Sequence, residues 1–155
     1  EELDENAPII LKGSFTGNRK IDEDTNIVGP STISEFKVDK VYKGSIENDI
    51  ISVLEPFEIK DNNFTNIEGY IPMEENKEYI LFLRENDISE GKQYTIKFIS
   101  FGKYNTSKED NIVNQKSSIK YLEEVKDSEF ISESQEICDT YINIKGEVLD
   151  KYLYK

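Results

Sequence analysis

The chain has 155 residues and a formal net charge of −13, with acidic residues outnumbering basic ones 32 to 19. This charge argues against nucleic acid and against an anionic membrane surface as partners, because both require a basic face on the protein. A single cysteine and the lack of histidine exclude an internal disulfide, a histidine-based catalytic pair and an imidazole zinc site. The length predicts one domain over residues 1–155, opening with a polar spacer at residues 1–6.

Segments rich in β-branched and aromatic residues, each bounded by Gly, Pro or Asn, are predicted to form strands. They are residues 7–15, 32–43, 50–55, 79–83 and 93–102. Polar loops are expected over residues 17–31 and 57–71, the second with one short strand, and a hairpin is expected over residues 104–114. The connections are too short for helical crossovers, so the sheet is predicted to be antiparallel.

Strand alternation fails at one point of the second predicted strand. Phe36 and Val38 share a face, but Val41 follows Val38 by three positions. Because the side-chain period of a strand is two, one extra residue near Asp39–Lys40 is needed to restore the register. We therefore predict a β-bulge there, which lets a long strand bend around a small barrel.

The predicted strand at residues 79–83 is apolar on both faces, so both faces must be covered. Residues 130–154 supply a cover, because their apolar side chains recur at the spacing of an amphipathic helix. That stripe consists of Ile137, Tyr141, Ile144, Val148 and Tyr152. Ser132 or Ser134 is the expected N-cap.

Together these elements predict a mainly β (α+β) fold. It is a small antiparallel OB-like barrel of five to six strands over residues 8–114, with the C-terminal amphipathic helix packed outside.

The order of the apolar motifs resembles a known family. The motifs are Phe36-Lys-Val-Asp-Lys-Val-Tyr-Lys-Gly44, Ile51-Ser-Val-Leu-Glu-Pro56, Glu78-Tyr-Ile-Leu-Phe-Leu83 and Phe101-Gly-Lys-Tyr104. In this order they resemble the bacterial TIMP-like or NTR-like OB-fold surface domains, over residues 9–104. Such domains occur in predicted lipoproteins of Gram-positive bacteria and have no agreed activity. The resemblance implies a barrel, an extracellular, cell-surface location and a lipid anchor preceding Glu1. Animal TIMPs place an N-terminal cysteine on the protease zinc, and no such residue is present here.

One acidic segment has the spacing of metal ligands. Asp22, Asp24 and Asn26 repeat the i, i+2, i+4 oxygen pattern that opens a calcium loop. An EF-hand would need Gly and Glu where Ile27 and Ile33 stand, so the pattern leaves a looser Ca²⁺ site or a solvated acidic loop. No other cofactor is expected.

No residue set in the sequence predicts a reaction. Cys138 is expected to be a small, partly buried helix residue rather than a reactive thiol. Ser34-Glu-Phe-Lys37 matches S-x-x-K, but on a strand this odd separation puts Ser34 and Lys37 on opposite faces. The chain is therefore predicted to be a non-enzymatic, monomeric, cell-surface binding module without a membrane-spanning segment, and its partner an envelope or extracellular protein. The alternatives are a protease-inhibitor-like module and an enzyme that uses carboxylates with a divalent metal.

Overall fold

A computed structural model describes residues 2–21, 30–88, 91–107, 112–114 and 121–154. Two α-helices, ten strands and two short 3-10 helices make up the described part of the chain. In chain order they are α1 Glu2–Asn6, β1 Ile9–Ile21, β2 Thr32–Lys43, β3 Ile50–Glu55, β4 Phe57–Lys60, β5 Asn63–Asn66, β6 Glu78–Ile88, β7 Gly91–Ile96, 3-10 helix Ile99–Gly102, β8 Lys103–Asn105, β9 Ile112–Asn114, 3-10 helix Leu122–Glu124, β10 Phe130–Ser132 and α2 Gln135–Tyr152.

Five strands close into a barrel in the order β1-β2-β3-β7-β6, and β1 pairs with both β2 and β6. β8 adds an extra strand along β6. The predicted mainly β fold with an OB-like barrel and an outer C-terminal helix is confirmed. The barrel is mixed rather than wholly antiparallel, since β3 and β7 run parallel. The segment that connects β3 to β7 contains three further strands, so it is long enough for the crossover that a parallel pair requires. This crossover was not predicted from the sequence.

The predicted bulge in β2 is confirmed. Lys12 pairs with Lys40 and Gly13 pairs with Val38, which leaves Asp39 without a partner on β1. Gly13 allows the two strands to approach closely here, because a Cβ on it would lie 2.1 Å from the Lys37 carbonyl oxygen. The bulge does not return Val41 to the barrel interior, since this side chain is 37% exposed.

Strand β6 is covered on both faces, as predicted. Its Tyr79, Leu81 and Leu83 side chains belong to the barrel core, while Ile80 and Phe82 belong to a second core beneath α2. The helix therefore supplies the outer cover that the two-faced strand requires.

Helix α2 differs in detail from the prediction. It begins at Gln135, after the strand β10, and Ser134 is its N-cap, accepting a hydrogen bond from the Ile137 N–H at 3.3 Å. Tyr141 and Val148 of the predicted stripe are buried, whereas Ile137 is 44% exposed and faces away from the core. The buried face instead continues through residues that the stripe omitted: Cys138, Lys145 and Leu149.

Three further segments differ from the prediction. Residues 57–71 hold two strands instead of one, β4 and β5, joined by Asp61 and Asn62 at φ 51° and 66°. The predicted hairpin at residues 104–114 is wrong, because β8 pairs with β6 and β9 pairs in parallel with β10. Residues 2–6, predicted as a spacer, form α1, and Asp4 in it contacts Lys151 and Tyr152 of α2.

Candidate functional site

Glu55 is a fully buried carboxylate at the end of β3. Its Oε1 atom accepts hydrogen bonds from the Ser34 hydroxyl at 2.5 Å and from the Arg19 guanidinium at 3.0 Å. Its Oε2 atom accepts from the Tyr70 hydroxyl at 2.5 Å and from the Met73 N–H at 2.8 Å. Each carboxylate oxygen thus has two donors, so the buried charge is fully hydrogen-bonded.

Arg19 comes from the end of β1 and neutralises Glu55 from the outer side. Its guanidinium also donates to the Met73 carbonyl oxygen at 2.8 Å, and it lies 4.0 Å from the ring centroid of Phe15. Burial and the Glu55 carboxylate raise the pKa of Tyr70 well above its ordinary value, so the phenol stays protonated and donates. These contacts link β1, β2, β3 and the segment before β6 to one another.

Lys103, on β8, is a buried lysine whose ammonium lies over two aromatic rings. Its Nζ atom is 4.8 Å from the ring centroid of Tyr70 and 5.2 Å from that of Tyr79. Burial lowers the pKa of Lys103 to about 8, although the charges of Glu55 and Glu129 act in the opposite direction. A buried amine with a lowered pKa is a common signature of functional sites. Among the described residues, the two ring faces are the contacts that hold this amine in place.

A second buried carboxylate, Glu129, fastens α2 to the barrel. Lys145 of α2 donates to its Oε2 atom at 2.7 Å, and the Asn105 N–H donates to Oε1 at 2.8 Å. The Tyr141 hydroxyl donates to the Lys103 carbonyl oxygen at 2.7 Å and lies 3.1 Å from Glu129 Oε1. The Tyr141 ring stacks on that of Phe130, with centroids 4.7 Å apart. The charged groups at this interface therefore contact each other and serve packing.

A groove of about 640 Å³ opens on the described surface. It lies between the end of β5, the 3-10 helix Ile99–Gly102, β10 and the start of α2. Its apolar lining consists of Phe101, Phe130, Ile131 and Ile137. This volume falls in the range of ordinary ligand sites, and exposed Ile137 forms an apolar wall.

Two turns with left-handed backbone conformations lie next to this groove. Glu68 and Gly69, which line it, have φ of 45° and 76°. Phe98 and Ile99, which precede its Ser100 edge, have φ of 63° and 53°. A β-branched residue at positive φ is strained, and such strain clusters at ligand sites. The Ser100 hydroxyl donates to the Glu68 carbonyl oxygen at 3.2 Å, which ties the two turns together.

The sequence analysis singled out Ser34, Lys37 and Cys138 among the described residues, and none of the three lines this groove. Asp22, Asp24 and Asn26 fall outside the described residues, so the Ca²⁺ site stays a prediction. Ser34 is buried and bonded to Glu55, while Lys37 is exposed, so the S-x-x-K pair does not assemble. Cys138 is buried, and burial raises the pKa of its thiol.

The described residues contain neither a metal-ligand cluster nor a membrane-spanning helix. No group of three or more acidic or cysteine side chains there could hold a metal ion. No helix in the described part of the chain has both the length and the apolar character needed to cross a membrane.

Sequence reasoning missed the charged members of both buried networks. Signals for them existed: Glu55 ends an apolar strand directly before a proline, and Lys145 falls on the repeat of Cys138, Tyr141 and Val148. The groove had no such signal, because its walls come from distant segments that only the fold brings together.

Comparison of the chain with protein-family models, with curated proteins and with solved structures found no match. The resemblance to TIMP-like and NTR-like domains therefore stays a prediction from the sequence motifs.

Proposed function

We propose that this protein is a non-catalytic binding module whose groove takes a segment of an envelope or extracellular protein. The observation that carries the proposal is the groove itself: an apolar-lined cleft of about 640 Å³ bordered by two turns with positive φ. The buried ionisable groups support it indirectly, since Glu55 and Glu129 each bond to groups of the fold rather than to the surface.

The test is selection from a random peptide library followed by mapping of the binders. We expect selected peptides to shift the amide resonances of Gly69 and Ser132 and to lose affinity about tenfold or more in an Ile137→Gln variant. Gln is a good helix former, so this change removes the apolar wall without disturbing α2. Ile21→Gln is the matched control, because Ile21 is equally exposed at the far end of β1.

A library that yields no binder, or binders equally sensitive to both isoleucine variants, contradicts the groove as the binding site.

We further propose that the module is a monomer outside the cell, anchored at the cell surface. The motif resemblance supports this location. Cell fractionation, with an antibody to detect the protein, should find it in the envelope. Protease added to intact cells should then degrade the protein. Recovery in the cytosolic fraction would overturn the proposed location.

The β4–β5 hairpin favours a second candidate, a protease-inhibitor-like module. Phe57 and Phe64 are buried and anchor the hairpin, while Ile59 and the Asp61–Asn62 turn are exposed. An inhibitor that enters a protease cleft needs a rigid, exposed segment, and this hairpin is one. Inhibition of at least one member of a protease panel, lost in an Ile59→Asp variant, would support this candidate, and a panel without inhibition would reject it.

A further inference from the structure

The rim of the groove is acidic. Glu68 and Glu133 line it, and both side chains are exposed. Glu136 follows in the first turn of α2 and is also exposed. None of the described residues that line the groove is basic.

The start of α2 does not offset this acidic character. A helix N-terminus favours anions, but here Ser134 already accepts from the Ile137 N–H. Glu133 and Glu136 place two carboxylates at the same helix end, where their negative charge partly neutralises the positive end of the helix dipole. An anionic ligand would therefore meet carboxylates at the rim of the groove.

The charge of the whole chain acts in the same direction. A net charge of −13 attracts cations from a distance and repels acidic polymers. Complementary charge at the rim then selects among the segments that reach the groove, while the apolar floor supplies contact area.

We propose that the occupant of the groove is a cationic protein segment, in which Lys or Arg residues flank one or two apolar or aromatic side chains. The apolar side chains pack on Phe101, Ile131 and Ile137, and the flanking cations face Glu68 and Glu133. This inference rests on the proposed function, because it names the partner chemistry of the same groove.

The experiment compares three short synthetic peptides that share a Phe-Leu centre and have Lys, Gln or Glu flanks. Binding is measured by fluorescence anisotropy, and its location by the amide shifts of Gly69 and Ser132. We expect the Lys-flanked peptide to bind about threefold to tenfold more tightly than the Gln-flanked one, and the Glu-flanked one to bind weakest. The Lys preference should shrink as ionic strength rises from about 0.01 M to 1 M.

Charge reversal at the rim tests the contribution of Glu68 and Glu133 directly. A Glu68→Lys/Glu133→Lys variant should reverse the order of the Lys- and Glu-flanked peptides, and a Glu68→Gln/Glu133→Gln variant should reduce the difference to what the remaining net charge supplies. Glu5→Lys is the control, because α1 contacts the opposite end of α2, roughly 25 Å away at 1.5 Å per helical residue. It should leave the order unchanged.

Each contrary result has its own meaning. Equal binding of the Lys- and Gln-flanked peptides at the groove overturns the cationic occupant and leaves the proposed function intact. Lys-flanked binding that responds equally to Glu5→Lys and to the rim variants shows attraction to net charge alone and also overturns it. If none of the three peptides binds, the cationic occupant is rejected, and the library selection with Ile137→Gln decides the proposed function separately.

Discussion

The two buried carboxylates secure different parts of the molecule in different ways. Glu55 receives one cation, from Arg19, and three neutral donors from the barrel and the chain before β6. Glu129 receives its cation from α2, and Lys145 is only 3% exposed where Arg19 is 24% exposed. Water can thus replace part of the Arg19 contact but not of the Lys145 contact. The barrel wall and the helix cover are therefore secured by different ion pairs, and the pair beneath the helix is the more deeply buried of the two.

Removal of Lys145 should have the largest effect on stability. Lys145→Met leaves Glu129 buried without its cation, which should lower the free energy of unfolding by about 3–5 kcal/mol. The double variant Glu129→Gln/Lys145→Met should recover much of the loss, because the amide oxygen still accepts from the Asn105 N–H. Urea denaturation followed by circular dichroism measures both.

The exposed pair at the end of the same helix is the control. Lys151→Met breaks the contact with Asp4, where the lysine is 51% exposed, and should cost less than about 1 kcal/mol. A Lys145→Met variant that is no less stable than Lys151→Met would show that the cover does not depend on the buried pair.

Neutralising Glu55 should rank second, at about 2–3 kcal/mol. Glu55→Gln replaces one acceptor oxygen by an NH₂ group, so the two donors on that side lose their acceptor. Ser34→Ala removes only one donor and should cost about 1 kcal/mol. Thermal melting of the two variants checks the order, which would be contradicted if Ser34→Ala were the more damaging change.

Lys103 lies between the two networks, and its replacement should stabilise the protein. Its pKa is about 8 in the folded chain against 10.5 ordinarily, so the folded state binds fewer protons between these values and this group's contribution to stability rises with pH there. Below pH 8 the ammonium is charged in the folded state, so the full cost of burying it is present. Lys103→Met should therefore raise the free energy of unfolding by roughly 1–3 kcal/mol at neutral pH, less as pH approaches 10.5.

Denaturation of the wild type and of Lys103→Met at a series of pH values tests this, with the exposed Lys37→Met as the matched control for loss of a lysine charge. The difference between wild type and variant isolates Lys103 from the buried tyrosines, which titrate in the same range when the chain unfolds. A destabilised Lys103→Met protein would indicate that the contacts of the ammonium with Tyr70 and Tyr79 outweigh its burial cost.

The smallest effect concerns Cys138, at the interface between α2 and the barrel. Its thiol is buried and burial raises its pKa, so a thiol reagent should label it slowly at neutral pH and quickly in denaturant. Labelling at the rate of free cysteine without denaturant would mean that α2 detaches readily from the barrel.

The sequence was sufficient for the scaffold where local pattern decides it. The missing alternation at Val38 and Val41 located the bulge at Asp39, and the two-faced strand at residues 79–83 required the cover that α2 provides. The two-residue turn at Asp61 and Asn62 was not recognised, so β4 and β5 were merged into one irregular stretch.

Long-range pairing explains what the sequence could not provide. The partner of β7 is β3, and nothing in either strand specifies a parallel neighbour. Likewise Glu68, Phe101 and Ile137 are far apart in the chain, and only the closed barrel with its helix places them around one groove. A site made from surfaces of four elements leaves no spacing to recognise.

The contact of Asp4 with Lys151 and Tyr152 has a practical consequence for orientation. It brings both ends of the described chain to the end of α2 that is remote from the groove. A linker attached at either end would project from the same side, so a protein immobilised through it would present the groove to solution. Joining the two ends by a short linker and reopening the chain at the exposed Asp61–Asn62 turn should be compatible with the fold.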